Sequence, residues 1–199
     1  MSDSTGFVAG LGRCGTTMVM AMLDAGGIPV AGEPPDYEDM RLRPGITDTR
    51  WLAGQSGRVV KWIDPTTTFV PDGRYGPIAW LDRNPEEQAR SQLKLVAADQ
   101  PGMSVSRRLR RAWVASLRGD RVKARREVQR RGTVLTLSFE AILRDPHKSA
   151  ESLAAHFALL GALDVARAAS VVEARSPACT PDLHMEARSI RALTGAGKG

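Results

Sequence analysis

A glycine-rich turn near the N-terminus carries the residues best suited to bind an anion. Residues 6–9 form a short apolar run, residues 10–15 include three glycines, and an amphipathic pattern follows. A strand, a glycine turn and a helix start in this order are typical of a phosphate-binding loop. The turn lets backbone N–H groups point inward, and the helix dipole adds positive potential at the same place. The sequence therefore predicts an anion site built from Gly12, Arg13, Cys14, Gly15, Thr16 and Thr17.

This loop departs from the nucleotide-kinase pattern G-x-x-x-x-G-K-[ST]. Thr16 stands where the lysine should be, and a positive charge appears three residues earlier, at Arg13. The loop is predicted to bind an anion other than the γ-phosphate of Mg-ATP. A nucleotide kinase is therefore kept only as an alternative function.

A second pair of residues suited to phosphate follows a later strand. The apolar run 78–81 ends at Asp82 and Arg83, Pro85 suits the first turn of a helix, and Ser91 lies eight residues after Arg83. On such a helix Ser91 is nearly two turns in, where its hydroxyl can face the ligand that Arg83 reaches. A guanidinium fork and a hydroxyl together are well matched to a phosphate.

The elements that must position these residues alternate along the chain. Apolar runs bounded by glycine or proline predict strands at 7–9, 58–63, 77–82 and 133–138, with a further short strand at 28–30. Helices are predicted at 16–25, 86–98, 104–131, 146–157 and 163–174. This alternation predicts an α/β fold with three layers, in which helices flank a mainly parallel central sheet. We expect residues 1–199 to form one domain, with residues 176–199 as a loosely ordered tail.

Composition limits the partners and the compartment. The chain has 199 residues, a net charge of +6 and two cysteines, Cys14 and Cys179, far apart in sequence. No basic leader and no apolar run near the ~20 residues of a membrane span are present, so we expect a cytoplasmic protein without a membrane span. The three histidines, His147, His156 and His184, lie at no metal-ligand spacing, and no metal site is predicted.

The stretch 104–131 holds eleven of the 28 positive charges. Such a run is usually a solvated helix face, and its more specific interpretation is an electropositive rim that attracts an anionic donor or acceptor. No aromatic platform accompanies the run, so nucleic acid is not expected as a partner.

Three segments together resemble the sulfotransferases that use 3′-phosphoadenosine 5′-phosphosulfate (PAPS). Residues 10–17 are similar to the family's 5′-phosphosulfate loop, and Arg83 with Ser91 is similar to its 3′-phosphate motif. Residues 137–146, Leu-Ser-Phe-Glu-Ala-Ile-Leu-Arg-Asp-Pro, look like its downstream strand-to-helix segment. The resemblance implies a P-loop fold, PAPS as co-substrate, no required metal, and an acceptor hydroxyl on a small molecule, a glycan or a peptide.

Within that family the run 13–25 and the following Gly32-Glu33 look most like the tyrosylprotein sulfotransferases. This resemblance implies that Glu33 is the general base and that Lys61, on the next strand, stabilises charge together with Arg13. Ile63 stands where cytosolic members carry a catalytic histidine. A solvated acidic loop remains nearly as good an interpretation of Glu33, and a lysine that snorkels from its strand remains an alternative for Lys61. A nucleotide-binding module without catalysis therefore stays open beside the enzyme.

Overall fold

The computed structural model describes residues 4–100 and 102–173. Four strands and six α-helices occur in the described residues. The strands are β1 Gly6–Gly10, β2 Val59–Ile63, β3 Ile78–Asp82 and β4 Val134–Ser138. The helices are α1 Thr16–Ala25, α2 Pro85–Asp99, α3 Arg107–Gln129, α4 Phe139–Arg144, α5 Pro146–His156 and α6 Val165–Ser170, and a 3-10 helix spans Arg50–Gln55.

The four strands form one parallel sheet in the order β2-β1-β3-β4. The register aligns their carboxyl ends: Gly10 of β1 is level with Ile63 of β2 and Leu81 of β3, and Asp82 is level with Ser138 of β4. Residues that follow all four strands therefore meet at one edge of the sheet.

Helices cover both faces of the sheet, as a parallel sheet requires. On one face Trp62 and Trp80 pack with Val114, Leu117 and other apolar side chains of α3. On the other face Val8 and Ala79 pack with side chains of α1, α5 and α6, including Val19, Leu23, Leu153 and Ala168. The predicted three-layer α/β fold with a parallel central sheet is thus confirmed.

Two predicted elements differ in detail. Residues 28–30 do not form a strand: Val30 makes a single parallel bridge to Val59, because the chain turns away from the edge of β2 at once. The last helix is shorter than predicted, since α6 ends at Ser170. The predicted tail, residues 176–199, lies outside the described residues.

The strand order defines a switch point between β1 and β3. The chain moves from β1 to β2 on one side and then crosses to β3 on the other side of β1. In open α/β sheets, ligands bind in the crevice at the carboxyl ends of the two strands that flank such a point. The glycine turn follows β1 and Arg83 follows β3, so both predicted phosphate motifs lie at this crevice.

Candidate functional site

The glycine turn adopts backbone angles that few residues tolerate. Gly15, directly before α1, has φ 105°, and Arg13 has φ 68°. A Cβ atom at Gly15 would also approach the ring of Phe139 to 2.7 Å. Both the left-handed conformation and this close approach require glycine at position 15.

Cys14 packs inward beneath the turn. Its side chain is 1% exposed, and burial raises the pKa of the thiol to about 12. The thiol is therefore neutral and fills space, and its backbone N–H donates to Leu11 O within the turn. Any contact of Cys14 with a ligand would have to come from the main chain.

The two predicted phosphate motifs are in direct contact. Arg83 donates from Nη1 to the carbonyl oxygen of Arg13 at 3.0 Å. Arg13 in turn donates from Nε to Ser91 Oγ at 3.0 Å. The side chain of Arg83 is 8% exposed, and its Nη2 lies 4.0 Å from Oε2 of Glu87 in the first turn of α2. The structure thus brings Arg13, Arg83 and Ser91 into one cluster.

The segment after β4 supports Arg83. The guanidinium carbon of Arg83 lies 4.3 Å from the ring centroid of Phe139, within the range of a cation–π contact. Glu140 accepts a hydrogen bond from the backbone N–H of Asn84, the residue that caps α2. The sequence marks residues 137–146 as a motif but does not indicate these roles of Phe139 and Glu140. The Leu-Ser-Phe-Glu pattern was their only signal.

Side chains of α2 and α3 hold the turn from the other side. Gln88 and Gln92 each donate from Nε2 to Gly12 O, at 2.9 and 2.8 Å. Trp113 donates to Gln92 at 2.6 Å, and Arg121 donates to both Arg83 O and Gln88. This network has no signal in the sequence, because isolated glutamines in an amphipathic helix carry no distinguishing pattern.

Lys61 lies at the base of the site on the β2 side. Its side chain is 2% exposed, and its ammonium group donates to Thr17 Oγ1 at 2.8 Å, Asp36 O at 2.6 Å and Glu38 Oε1 at 3.1 Å. Burial lowers the pKa of Lys61, and the nearby Glu38 carboxylate opposes this shift. The snorkelling alternative is therefore wrong: the ammonium group does not reach solvent but joins α1 to the loop that contains Glu38.

Glu33 lies apart from these contacts. It is exposed, and its backbone carbonyl accepts a hydrogen bond from Tyr37 N. With Gly32, Asp36, Glu38 and other loop residues it lines a cavity of about 420 Å³. The described contacts bring Glu38, and not Glu33, to Lys61.

Asp64 follows β2 and faces the glycine turn. Its Oδ1 accepts a hydrogen bond from Gly12 N at 3.0 Å, so this backbone donor of the predicted anion site is occupied in the structure. Burial raises the pKa of Asp64, and the bond from Gly12 opposes the shift. The Gly12 N–H thus binds a carboxyl oxygen of the chain itself, and its role in anion binding stays a prediction.

Part of the basic stretch is structural. Arg121 lies 3.2 Å from Asp82 Oδ1, and Arg131 pairs with Asp72 and Glu127. The first turns of α3 nevertheless carry four exposed arginines, namely Arg107, Arg108, Arg110 and Arg111. The stretch therefore combines internal anchors with a solvated basic end.

Two features are absent from residues 4–100 and 102–173. No group of three or more His, Cys, Asp or Glu side chains there has the geometry to hold a metal ion. No helix in those ranges is both long enough and apolar enough to cross a membrane.

The fold is that of a P-loop α/β protein, and the cluster of Arg13, Arg83 and Ser91 lies at the switch point of its sheet. No protein-family model matches the chain, and no curated protein matches it by sequence. Among solved structures, the fold is similar to mouse sulfotransferase SULT7A1 complexed with PAP, with a TM-score of 0.53 and 16% identity over 86% of this chain and 63% of that chain. The described residues therefore have the sulfotransferase P-loop fold.

Two structures of retinol dehydratase also align. One, in complex with androsterone and the inactive cofactor PAP, has a TM-score of 0.46 and 16% identity over 86% of this chain and 64% of the other. The second, in a complex with retinol and PAP, has a TM-score of 0.43 and 15% identity over 97% and 65%. The chain thus spans less than two thirds of the length of each of these three proteins.

Proposed function

We propose that this protein is a sulfotransferase that moves a sulfuryl group from PAPS to a hydroxyl acceptor. The observation that supports it is the single cluster of Arg13, Arg83 and Ser91 at the β1–β3 crevice. Two adjacent anion-binding motifs suit a donor that carries phosphate groups at both the 3′ and the 5′ position of its ribose. The fold it shares with a sulfotransferase crystallised with PAP supports the same donor.

In this proposal the loop residues Gly12 to Thr17 bind the 5′-phosphosulfate through main-chain N–H groups and the hydroxyls of Thr16 and Thr17. The Gly12 amide exchanges its bond with Asp64 for one with the donor. Arg83 and Ser91 bind the 3′-phosphate, which distinguishes this donor from ATP. Phe139 and Glu140 keep Arg83 and the start of α2 in position.

Catalysis would rest on positioning and charge stabilisation, as in phosphoryl transfer. Arg13 and Lys61 would stabilise the negative charge that develops on the leaving phosphate and the sulfuryl oxygens. Lys61 is well placed for this role because its hydrogen-bond partner Thr17 lies in the first turn of α1, directly after the loop. No metal ion is required in this scheme, since a sulfuryl group carries less charge than a γ-phosphoryl group.

Isothermal titration calorimetry tests the donor. We expect adenosine 3′,5′-bisphosphate to bind at least about tenfold more tightly than Mg-ATP, because only the bisphosphate engages Arg83 and Ser91. Tighter binding of Mg-ATP would overturn the proposed donor and favour a nucleotide kinase. Adenosine 5′-monophosphate is the matched control, since it lacks only the 3′-phosphate.

The acceptor side is proposed more broadly. The donor-side residues resemble the tyrosylprotein sulfotransferases, so a peptide acceptor is included beside a small molecule or a glycan. We also propose a cytoplasmic location, where the reducing environment suits the free, buried Cys14. Assays with radiolabelled PAPS against a panel of the three acceptor classes would identify the substrate, and bisphosphate binding without transfer to any acceptor would instead support a non-catalytic module.

A further inference from the structure

Glu38 lies between the buried ammonium group of Lys61 and two open cavities. We infer that Glu38, rather than Glu33, accepts the proton of the acceptor hydroxyl. This inference rests on the proposed sulfuryl transfer and names the proton acceptor for that reaction.

Lys61 connects Glu38 to the loop that is proposed to bind the donor. Its ammonium group contacts Thr17 Oγ1, in the first turn of α1, and Glu38 Oε1 at the same time. The Lys61 ammonium group therefore bridges Thr17 and the Glu38 carboxylate through two consecutive hydrogen bonds. Glu33 has no described contact with Lys61 or with the loop residues 10–17.

The side chain of Glu38 is also accessible to an acceptor. Lys61 is 2% exposed, whereas Glu38 is 30% exposed. Glu38 lines two cavities, the one of about 420 Å³ beside Glu33 and another of about 260 Å³ whose wall includes Lys61, Ile63 and Asp64. An acceptor hydroxyl in the smaller cavity would have Glu38 beside it and Lys61 beneath it.

The loop around Glu38 is built to hold this position. The backbone N–H of Glu38 donates to Asp36 Oδ1 at 3.1 Å, and Asp36 O accepts from Lys61. The neighbouring Tyr37 is 6% exposed and donates its hydroxyl to Asp24 of α1 at 2.9 Å. Glu38 thus projects from a turn anchored on both sides, while Glu33 lies at the exposed start of the same loop.

Several charged groups surround Glu38. Lys61 contributes the nearest positive charge from β2, and Asp64 faces the smaller cavity from the end of that strand. Asp36, Asp39 and Arg43 come from the loop itself, and Asp39 pairs with Arg41. A general base must accept a proton, so transfer to an un-ionised acceptor should depend on a carboxylate at position 38.

The proposed transfer forms one bond to sulfur and breaks another. The acceptor oxygen forms a bond to sulfur as the bond from sulfur to the bridging phosphate oxygen breaks, and that oxygen keeps the electron pair. The proton of the acceptor hydroxyl passes to the Glu38 carboxylate. The products are the sulfate ester and adenosine 3′,5′-bisphosphate, whose added charge Lys61 and Arg13 offset.

The test compares two phenol acceptors that differ in acidity, with PAPS as donor. Unsubstituted phenol must lose a proton during transfer, whereas 4-nitrophenol is already ionised in mildly alkaline buffer and needs no base. We expect Glu38→Gln to lower kcat for phenol by about 10²- to 10⁴-fold and kcat for 4-nitrophenol by less than about tenfold. Glu33→Gln, the matched control, should leave both rates within about threefold of wild type.

Two further readouts separate a catalytic role from a structural one. Glu38→Gln should keep bisphosphate affinity within about threefold by calorimetry, and Glu38→Asp should restore part of the phenol rate. Equal losses for both phenols in Glu38→Gln, a large loss in Glu33→Gln, or no transfer by wild-type protein that binds the bisphosphate would each overturn the assignment of Glu38. Failure of the wild type to bind the bisphosphate would instead overturn the proposed function.

Discussion

Arg83 links the glycine turn to α4 and α3. It reaches the turn through Arg13 O, stacks on Phe139 and receives a contact from Arg121 at its own carbonyl. A lysine at this position would keep one positive charge but lose the planar fork and much of the stacking. The chemistry of the 3′-phosphate site therefore depends on arginine itself.

We expect Arg83→Lys to weaken binding of adenosine 3′,5′-bisphosphate by about ten- to a hundredfold, or about 1.4 to 2.8 kcal/mol. Binding of adenosine 5′-monophosphate should change by less than about threefold, because it lacks the group that Arg83 contacts. Calorimetry on both ligands measures the difference. Arg90→Lys, on the exposed side of α2, is the control. An equal loss for both ligands would show that Arg83 supports only the fold of the turn.

Cys14 permits a second test at the level of a single residue. Because burial raises the pKa of its thiol to about 12, almost no thiolate forms at neutral pH. In a Cys179→Ser background, iodoacetamide should therefore alkylate native Cys14 far more slowly than free cysteine, with the rate restored after unfolding in guanidinium. Mass spectrometry measures the labelling rate. Rapid labelling of Cys14 in the native protein would contradict its buried position.

At the level of elements, α3 stabilises the carboxyl edge of the sheet. Arg121 pairs with Asp82 at the end of β3 and donates to Arg83 O at 2.6 Å. We expect Arg121→Ala to lower the free energy of unfolding by about 2 kcal/mol and to weaken bisphosphate binding, because it leaves a partly buried carboxylate and a carbonyl without this donor. Arg118→Ala, exposed on the same helix, should change stability by less than about 0.5 kcal/mol. Urea unfolding measures the free energy of unfolding of both variants. Equal values would argue against a stabilising role of Arg121.

The junction of α5 and β3 should be sensitive to acid. His156 Nε2 lies 3.1 Å from Ile78 O, and burial lowers the pKa of this histidine. The unfolded chain therefore binds a proton more readily, so the contribution of His156 to stability is present above the unfolded pKa of ~6.5 and is lost as the pH falls below it. Replacement by glutamine should flatten this part of the stability profile. An unaltered pH profile of stability in His156→Gln would contradict this role of His156.

At the level of the whole molecule, the positive charge is unevenly placed. Because β4 follows α3 and runs parallel to β1, the start of α3 lies at the edge of the sheet that carries the site. Trp113 confirms this placement through its bond to Gln92, which itself binds Gly12. The exposed arginines at the start of α3 therefore lie at the same end of the sheet as the crevice.

Replacing Arg107, Arg108, Arg110 and Arg111 with glutamine should slow bisphosphate association by about tenfold at low ionic strength, with a much smaller effect at high salt. A control with the same net charge replaces Arg118, Lys123, Arg126 and Arg130. Stopped-flow fluorescence, with Trp113 as the reporter beside the turn, measures both rates. Equal slowing in the two variants would mean that net charge matters and its position does not.

The sequence by itself determined the local parts of this protein. The glycine turn, the Arg83–Ser91 spacing and the alternation of strands and helices are all patterns within short windows, and they predicted the three-layer fold correctly. The roles assigned from the sequence to Lys61 and the phosphate-binding residues stay predictions, as does that of Glu33, for which our inference names Glu38 instead. Only the tertiary structure decided which side chains meet: Glu38 with Lys61, Phe139 with Arg83, and Gln92 with Gly12, 80 residues away. These contacts follow from the strand order β2-β1-β3-β4, and hydrophobic periodicity along a chain specifies the face that an element buries but not the neighbour beside which it lies.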